Sequence, residues 1–159
     1  MAYEEAFAYL QSKGYGDRVQ IFDVSSATVE LAALAVGTEP ARIAKSLTFM
    51  VEEQPVMIIT AGDAKVNNSK YKVVFHKKAK MLTAEEVHNL IGHDVGGVCP
   101  FGIKDGVVVY LDESLKRFEK VYPACGSANS AVELTPKELE QLAESKAWID
   151  VCKIPEETV

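Results

Sequence analysis

The stretch "GGVCPFG", residues 96–102, places a cysteine among three glycines and a proline. Three chemistries suit such a segment: a thiol nucleophile, a backbone cradle for a ligand, or an ordinary turn. A nucleophilic Cys99 needs a base and a group to orient that base. The chain has three histidines, His76, His88 and His93. The helical pattern puts His88 on a polar face, and His93 falls in a loop six residues from Cys99. No local cysteine-protease signature surrounds Cys99, so it reads first as a small apolar residue lining a turn. No metal is expected, because the histidines and cysteines lack paired ligand spacing. Neither the dinucleotide fingerprint nor the P-loop pattern occurs. As a cradle the segment fares better. Its glycines let backbone approach a ligand closely, and Pro100 stiffens the loop while removing one N–H. A second small-residue loop, "ACGSANS" (124–130), has the same character. The two could wall a pocket for something small, or both could be plain connecting turns.

Two sets of lysines add to this. Lys45 opens a strand, and it gains a role only if it points into that pocket, where it could hold a carbonyl or phosphate oxygen. Lys65, Lys70, Lys72, Lys77, Lys78 and Lys80 follow one another with no Asp or Glu between them. That run suits either a solvated helix face or a contact surface for a phosphate backbone.

The elements that must position these residues are short. Residues 3–12 read as a helix stopped by Gly14, and 18–24 as a strand. The segment 25–37 reads as a helix capped by serines and closed by Gly37, and 39–44 as a short helix begun by Pro40. Residues 45–53 alternate and 55–62 are nearly all apolar, which predicts two strands turned at Gln54-Pro55, the second buried on both faces. Residues 67–76 are ambiguous between helix and strand. Thr83 and Glu86 form a capping box for a helix over 83–92. Strands are expected at 106–113, 120–126, 130–134 and 148–153. A short helical turn follows the first of these, and a helix capped by Thr135 covers 135–147. Without regular βαβ alternation, the expected fold is mixed α/β: one domain over 1–159, with a mixed, barrel-like sheet surrounded by helices.

Bulk properties agree with one soluble domain. The 159 residues are 48% hydrophobic and 25% charged, with net charge −6. That charge opposes a general nucleic-acid coat, so no DNA partner is expected. Three cysteines without C-x-x-C spacing read as reduced thiols. The acidic N-terminus is not a signal peptide, and no apolar run reaches the roughly 18 residues a membrane span needs. The expected location is cytoplasmic, with no membrane partner.

"AKSLTF", "ITAGDAKVN", "GGVCPFG" and "GSANSAVELTPKEL" occur in that order. Together they make residues 20–152 resemble the YbaK/EbsC family, trans-acting relatives of the prolyl-tRNA synthetase editing domain. The most specific element is the G-x-x-P-x-G loop, matched by Gly97, Pro100 and Gly102. The resemblance implies hydrolysis of the ester in mischarged aminoacyl-tRNA, on Cys- or Ala-tRNA(Pro), without a cofactor. It implies that Lys45 is the functional lysine, and that Gly97, Pro100 and Gly102 bind the aminoacyl end through backbone. Gly126 and Ser127 would bound the same pocket, and the lysine run would meet the acceptor stem. Prolyl-tRNA synthetase is an implied partner. Some members carry an aspartate where this chain has Ala131, two residues before Glu133. On this reading Gly102→Ala is expected to impair substrate handling more than folding. The non-catalytic alternative is a module that binds an amino-acid-like ligand or a tRNA end without turnover.

Overall fold

The structure, a computed structural model, describes residues 2–155. Helix α1 (Ala2–Ser12) buries Ala6 and Leu10, one turn apart on a single face. Strand β1 (Val19–Ile21) is shorter than its alternating pattern suggested. Helix α2 (Val29–Val36) is capped by Thr28, whose hydroxyl accepts from Leu31 N–H, and closes at Gly37 with φ +86°. The expected serine caps are displaced by that threonine. Ser25 instead accepts from the N–H of Ala27, and the Ser26 hydroxyl finds no partner among the described residues.

A 3-10 turn, Pro40–Arg42, leads straight into β2 (Ile43–Val51), so Ile43 and Ala44 belong to the strand rather than to a helix. Strand β3 (Gln54–Ala61) pairs antiparallel with β2 along its whole length. The turn between them falls at Glu52-Glu53, with Glu52 at φ +57°. Gln54 and Pro55 lie inside the ladder, opposite Val51 and Met50. Val56 to Ala61 are all buried, as the unbroken apolar run implies.

Strand β4 (Lys65–Val66) precedes α3 (Asn68–Phe75), which resolves the ambiguous segment as helix. Asn67 caps it by accepting from Lys70 N–H, and Tyr71 is fully buried against Phe49 and Phe75. The Thr83–Glu86 capping box forms, but α4 (Ala84–Glu86) passes at once into a π turn over Val87–Ile91, which buries both of its end residues.

Strand β5 (Val108–Asp112) and a 3-10 turn (Glu113–Arg117) lead to β6 (Tyr122–Pro123) and β7 (Ser130–Val132). Helix α5 (Pro136–Leu142) has a second capping box, between Thr135 and Glu138. It ends well before residue 147. The expected last strand divides into β8 (Ala147–Ile149) and β9 (Cys152–Lys153). The buried Asp112 carboxylate accepts from Val151 N–H at 2.9 Å and draws the chain out of the main sheet between them.

The main sheet has order β6-β2-β3-β5-β8. Only β2 and β3 are antiparallel, and the other three pairings are parallel. Two small antiparallel pairs, β1-β7 and β4-β9, flank it. The sheet curls into a half-barrel, which makes the fold the mixed α/β, barrel-like domain that the pattern of elements implied. No helix among the described residues is long and apolar enough to cross a membrane.

Candidate functional site

A cleft of about 280 Å³ opens beside β2. One wall is Ala44 to Thr48, and another is the segment leading into α2, from Ser26 to Val29. Val95, Gly96 and Val98 come from the first glycine-rich loop, and Ala124, Ser130 and Ala131 from the second. Met81 and Val95 stand largely exposed at its edge. Among the described residues, Lys45 and Tyr122 are the only ionisable side chains in its lining.

Lys45 is half-buried, and its ammonium donates to Ala64 O at 2.6 Å and to Gly62 O at 3.4 Å. Burial lowers its pKa from the usual lysine range. The turn that presents those carbonyls is tightly seated. A Cβ on Gly62 would overlap the carbonyl oxygen of Pro40, so only glycine lets the 3-10 turn and the β3 end meet. An ammonium has three N–H donors, and these two bonds leave one for a ligand oxygen.

The two glycine loops do come together. A Cβ on Gly97 would sit 2.7 Å from Ser127 N, so the loops touch backbone to backbone. Ser127 Oγ is 2.6 Å from Ser130 Oγ and donates to Asn129 at 2.9 Å. Gly97, Pro100, Gly102, Gly126 and Ser127 are nevertheless absent from the cleft lining; their neighbours Gly96, Val98, Ala124 and Ser130 form it. Gly97 and Ser127 lock the wall from behind. Gly102 and Gly126 seat α1, because Cβ atoms there would press within 2.6 Å of the carbonyl oxygens of Glu5 and Ala2. Pro100 and Gly102 line a separate depression, of about 340 Å³, with Tyr9 and Leu142.

The fold does bring a base to Cys99. His93 Nε2 lies 3.6 Å from Cys99 Sγ. Both groups are buried, however, and His93 Nε2 also faces Phe101 O at 2.9 Å. That carbonyl requires a proton on Nε2, so this nitrogen cannot take one from the thiol. Burial pushes the Cys99 thiol far up and the His93 imidazole down, against a thiolate–imidazolium pair. His88 turns outward to Asp94, with 2.6 Å between Nδ1 and Oδ1. No cluster of three His, Cys, Asp or Glu among the described residues could hold a metal ion.

The lysine segment meets the cleft at both ends. It starts beside Ala64, which holds Lys45, and ends at Met81, which lines the cleft. Lys65, Lys72, Lys77, Lys78 and Lys80 are exposed. Lys70 instead donates to Asp150 and to Cys152 O. Glu133 accepts from Tyr122 Oη at 2.9 Å, at the rim of the same cleft. Sequence reasoning missed Ser26, Ser46, Met81 and Tyr122. Of these, only Ser46 carried a signal, as the neighbour of Lys45 in a strand.

A curled mixed sheet and two interlocked glycine loops, beside an apolar cleft with one lysine, make up a domain of the YbaK-like kind. The chain belongs to the aminoacyl-tRNA editing domain family, whose model matches residues 24–142. It is 57% identical over 133 residues to the uncharacterized protein YwhH of Bacillus subtilis strain 168, covering 83% of this chain and 85% of that one. It is 31% identical over 100 residues to proline–tRNA ligase of Bacillus cytotoxicus, 62% of this chain but only 17% of the ligase. A crystal structure of a protein proposed to be a trans-editing enzyme for prolyl tRNA synthetase superposes with TM-score 0.86 at 30% identity, covering 96% of this chain and 97% of that one. The crystal structure of hypothetical protein APE2540 gives TM-score 0.83 at 26% identity, covering 94% and 99%.

Proposed function

We propose that this protein is a trans-acting deacylase that hydrolyses tRNA(Pro) mischarged with a small amino acid, such as cysteine or alanine. The observation that carries the reading is Lys45, fixed by two carbonyls inside an apolar cleft with one N–H to spare. An aminoacyl ester is already activated, so positioning and charge stabilisation suffice. Water attacks the ester carbonyl, and the C–O bond to the ribose breaks. The ribose oxygen leaves with a proton drawn from that water, directly or through the neighbouring terminal hydroxyl. The Lys45 ammonium steadies the oxyanion between these steps. This route needs no nucleophilic side chain, which suits a cleft without a Ser–His or Cys–His set. Gly97 and Ser127 hold the two loops that shape the aminoacyl pocket. Gly126 supports the second loop from behind, while Pro100 and Gly102 act further away by holding the first loop on α1. The exposed lysines from Lys65 to Lys80 guide the acceptor stem, and prolyl-tRNA synthetase is the partner whose errors are removed. The protein then works in the cytoplasm.

The test is release of free amino acid from tRNA(Pro) charged separately with cysteine, alanine and serine. Turnover of at least one, lost in Lys45→Ala, is the expected result. Binding of charged tRNA without release would instead identify a non-catalytic module.

A further inference from the structure

Two residues of the cleft wall carry hydroxyls with nothing to bond. Ser26 Oγ and Ser46 Oγ are both buried and without a hydrogen-bond partner among the described residues, and both residues line the cleft. They come from different elements, Ser26 from the segment before α2 and Ser46 from β2 beside Lys45. The rest of the lining is mostly aliphatic, including Val29, Ala32, Leu47, Val87 and Val98. A buried polar group without a partner is costly, and native proteins seldom keep one without a use. Each serine has one side-chain torsion and a hydroxyl that both donates and accepts. Rotation about Cα–Cβ moves either oxygen while its residue stays in the wall. Three other hydroxyls of the lining are already engaged: Thr28 caps α2, Ser130 bonds Ser127, and Tyr122 donates to Glu133.

We infer that Ser26 and Ser46 read a hydroxyl on the aminoacyl side chain, so the cleft prefers a seryl group to an alanyl group. The inference rests on the cleft being the aminoacyl site proposed above. A seryl hydroxyl supplies a partner that an alanyl methyl cannot, and the methyl leaves the wall hydroxyls unpaired. Sites built to bond a substrate hydroxyl reject the analogue that lacks it far better than apolar pockets sort methylenes. A cysteinyl thiol, a weak donor and acceptor, ranks between the two.

The experiment measures binding of 3′-seryl and 3′-alanyl amide analogues of adenosine, which do not hydrolyse, alongside deacylation of Ser- and Ala-tRNA(Pro). Wild type is expected to favour the seryl analogue by about tenfold or more, the worth of one well-made hydrogen bond. Ser46→Ala and Ser26→Ala should each shrink that ratio severalfold by weakening the seryl analogue alone. Both variants should fold, because each removes an unpaired buried hydroxyl. Equal affinity for the two analogues in wild type overturns the inference. So does an equal loss of both analogues in the variants, which would place the hydroxyls on the shared α-amino group or ribose. If neither tRNA is hydrolysed while the seryl preference persists, the deacylase reading fails and this one stands.

Discussion

The Lys45 ammonium lies 2.6 Å from the carbonyl oxygen of Ala64, nineteen residues along the chain. Gly62, two residues before Ala64, offers a second and longer contact. The ammonium is therefore held by backbone rather than by a carboxylate. A carboxylate partner would neutralise the charge locally, whereas two carbonyls fix its position and leave it available to a developing anion.

Removing that ammonium should separate activity from stability. Lys45→Met is expected to lower kcat/KM for mischarged tRNA by about 100-fold or more, the usual cost of losing a preorganised oxyanion donor. The urea midpoint should barely move, since relief of a half-buried charge offsets the loss of two hydrogen bonds. A large drop in the midpoint with unchanged kcat/KM would give Lys45 a structural role instead.

Gly102→Ala should act on folding. Its φ of +63° and the 2.6 Å approach of a new Cβ to Glu5 O both penalise a side chain. The expected loss is about 2 kcal/mol or more. This reverses the expectation from the loop motif, which assigned that glycine to the ligand. Denaturant unfolding checks it, and kcat/KM measured on the folded fraction should stay close to wild type.

What the residue pattern revealed and what it hid follow from range. Capping boxes at Thr83 and Thr135, the αL stop at Gly37 and the buried run of β3 are local, and they appear where the pattern implied them. The ends of β8 and β9 depend on Asp112, far away in sequence, so the split was invisible. Lys45 and both glycine loops were legible as motifs, but which loop residues face the cleft was not. Gly97 and Gly102 look alike in sequence, yet one meets Ser127 and the other meets α1. The pairing of Cys99 with His93 was equally hidden, because only the folded loop sets their mutual distance.

Cys99→Ser should leave deacylation within about twofold of wild type. The thiol is sealed from solvent, and Nε2 of its histidine neighbour is committed to Phe101 O. A loss of activity that tracks thiol alkylation in the native protein would show that the loop opens and that Cys99 takes part in turnover.

The exposed lysines should appear in the salt dependence of binding. Replacing Lys72, Lys77 and Lys78 together with alanine should weaken tRNA binding and flatten the slope of log K against log salt by about one unit for each phosphate left without its lysine. Affinity for a mononucleoside analogue, which reaches only the cleft, should not change. An unaltered slope would make this segment a solvated helix face.

His93 should set an acid limit on stability. The imidazole is buried, burial lowers its pKa, and Nδ1 has no hydrogen-bond partner among the described residues. The unfolded chain therefore takes up this proton more readily than the folded protein does. Stability is then fullest above the unfolded histidine pKa of about 6.5 and declines as pH falls below it. Neutral His93 is needed to keep the 93–101 loop closed, because burial of a charged ring there outweighs the attraction of Glu5 and Asp94. Urea midpoints for wild type should fall between pH 7.5 and pH 5.5, and His93→Gln, which cannot titrate, should lose much of that dependence. Deacylation should weaken over the same range in wild type, since the loop anchored at Phe101 also carries Val95, Gly96 and Val98 into the cleft wall. Equal pH dependence in the two proteins would assign the acid limit to other groups.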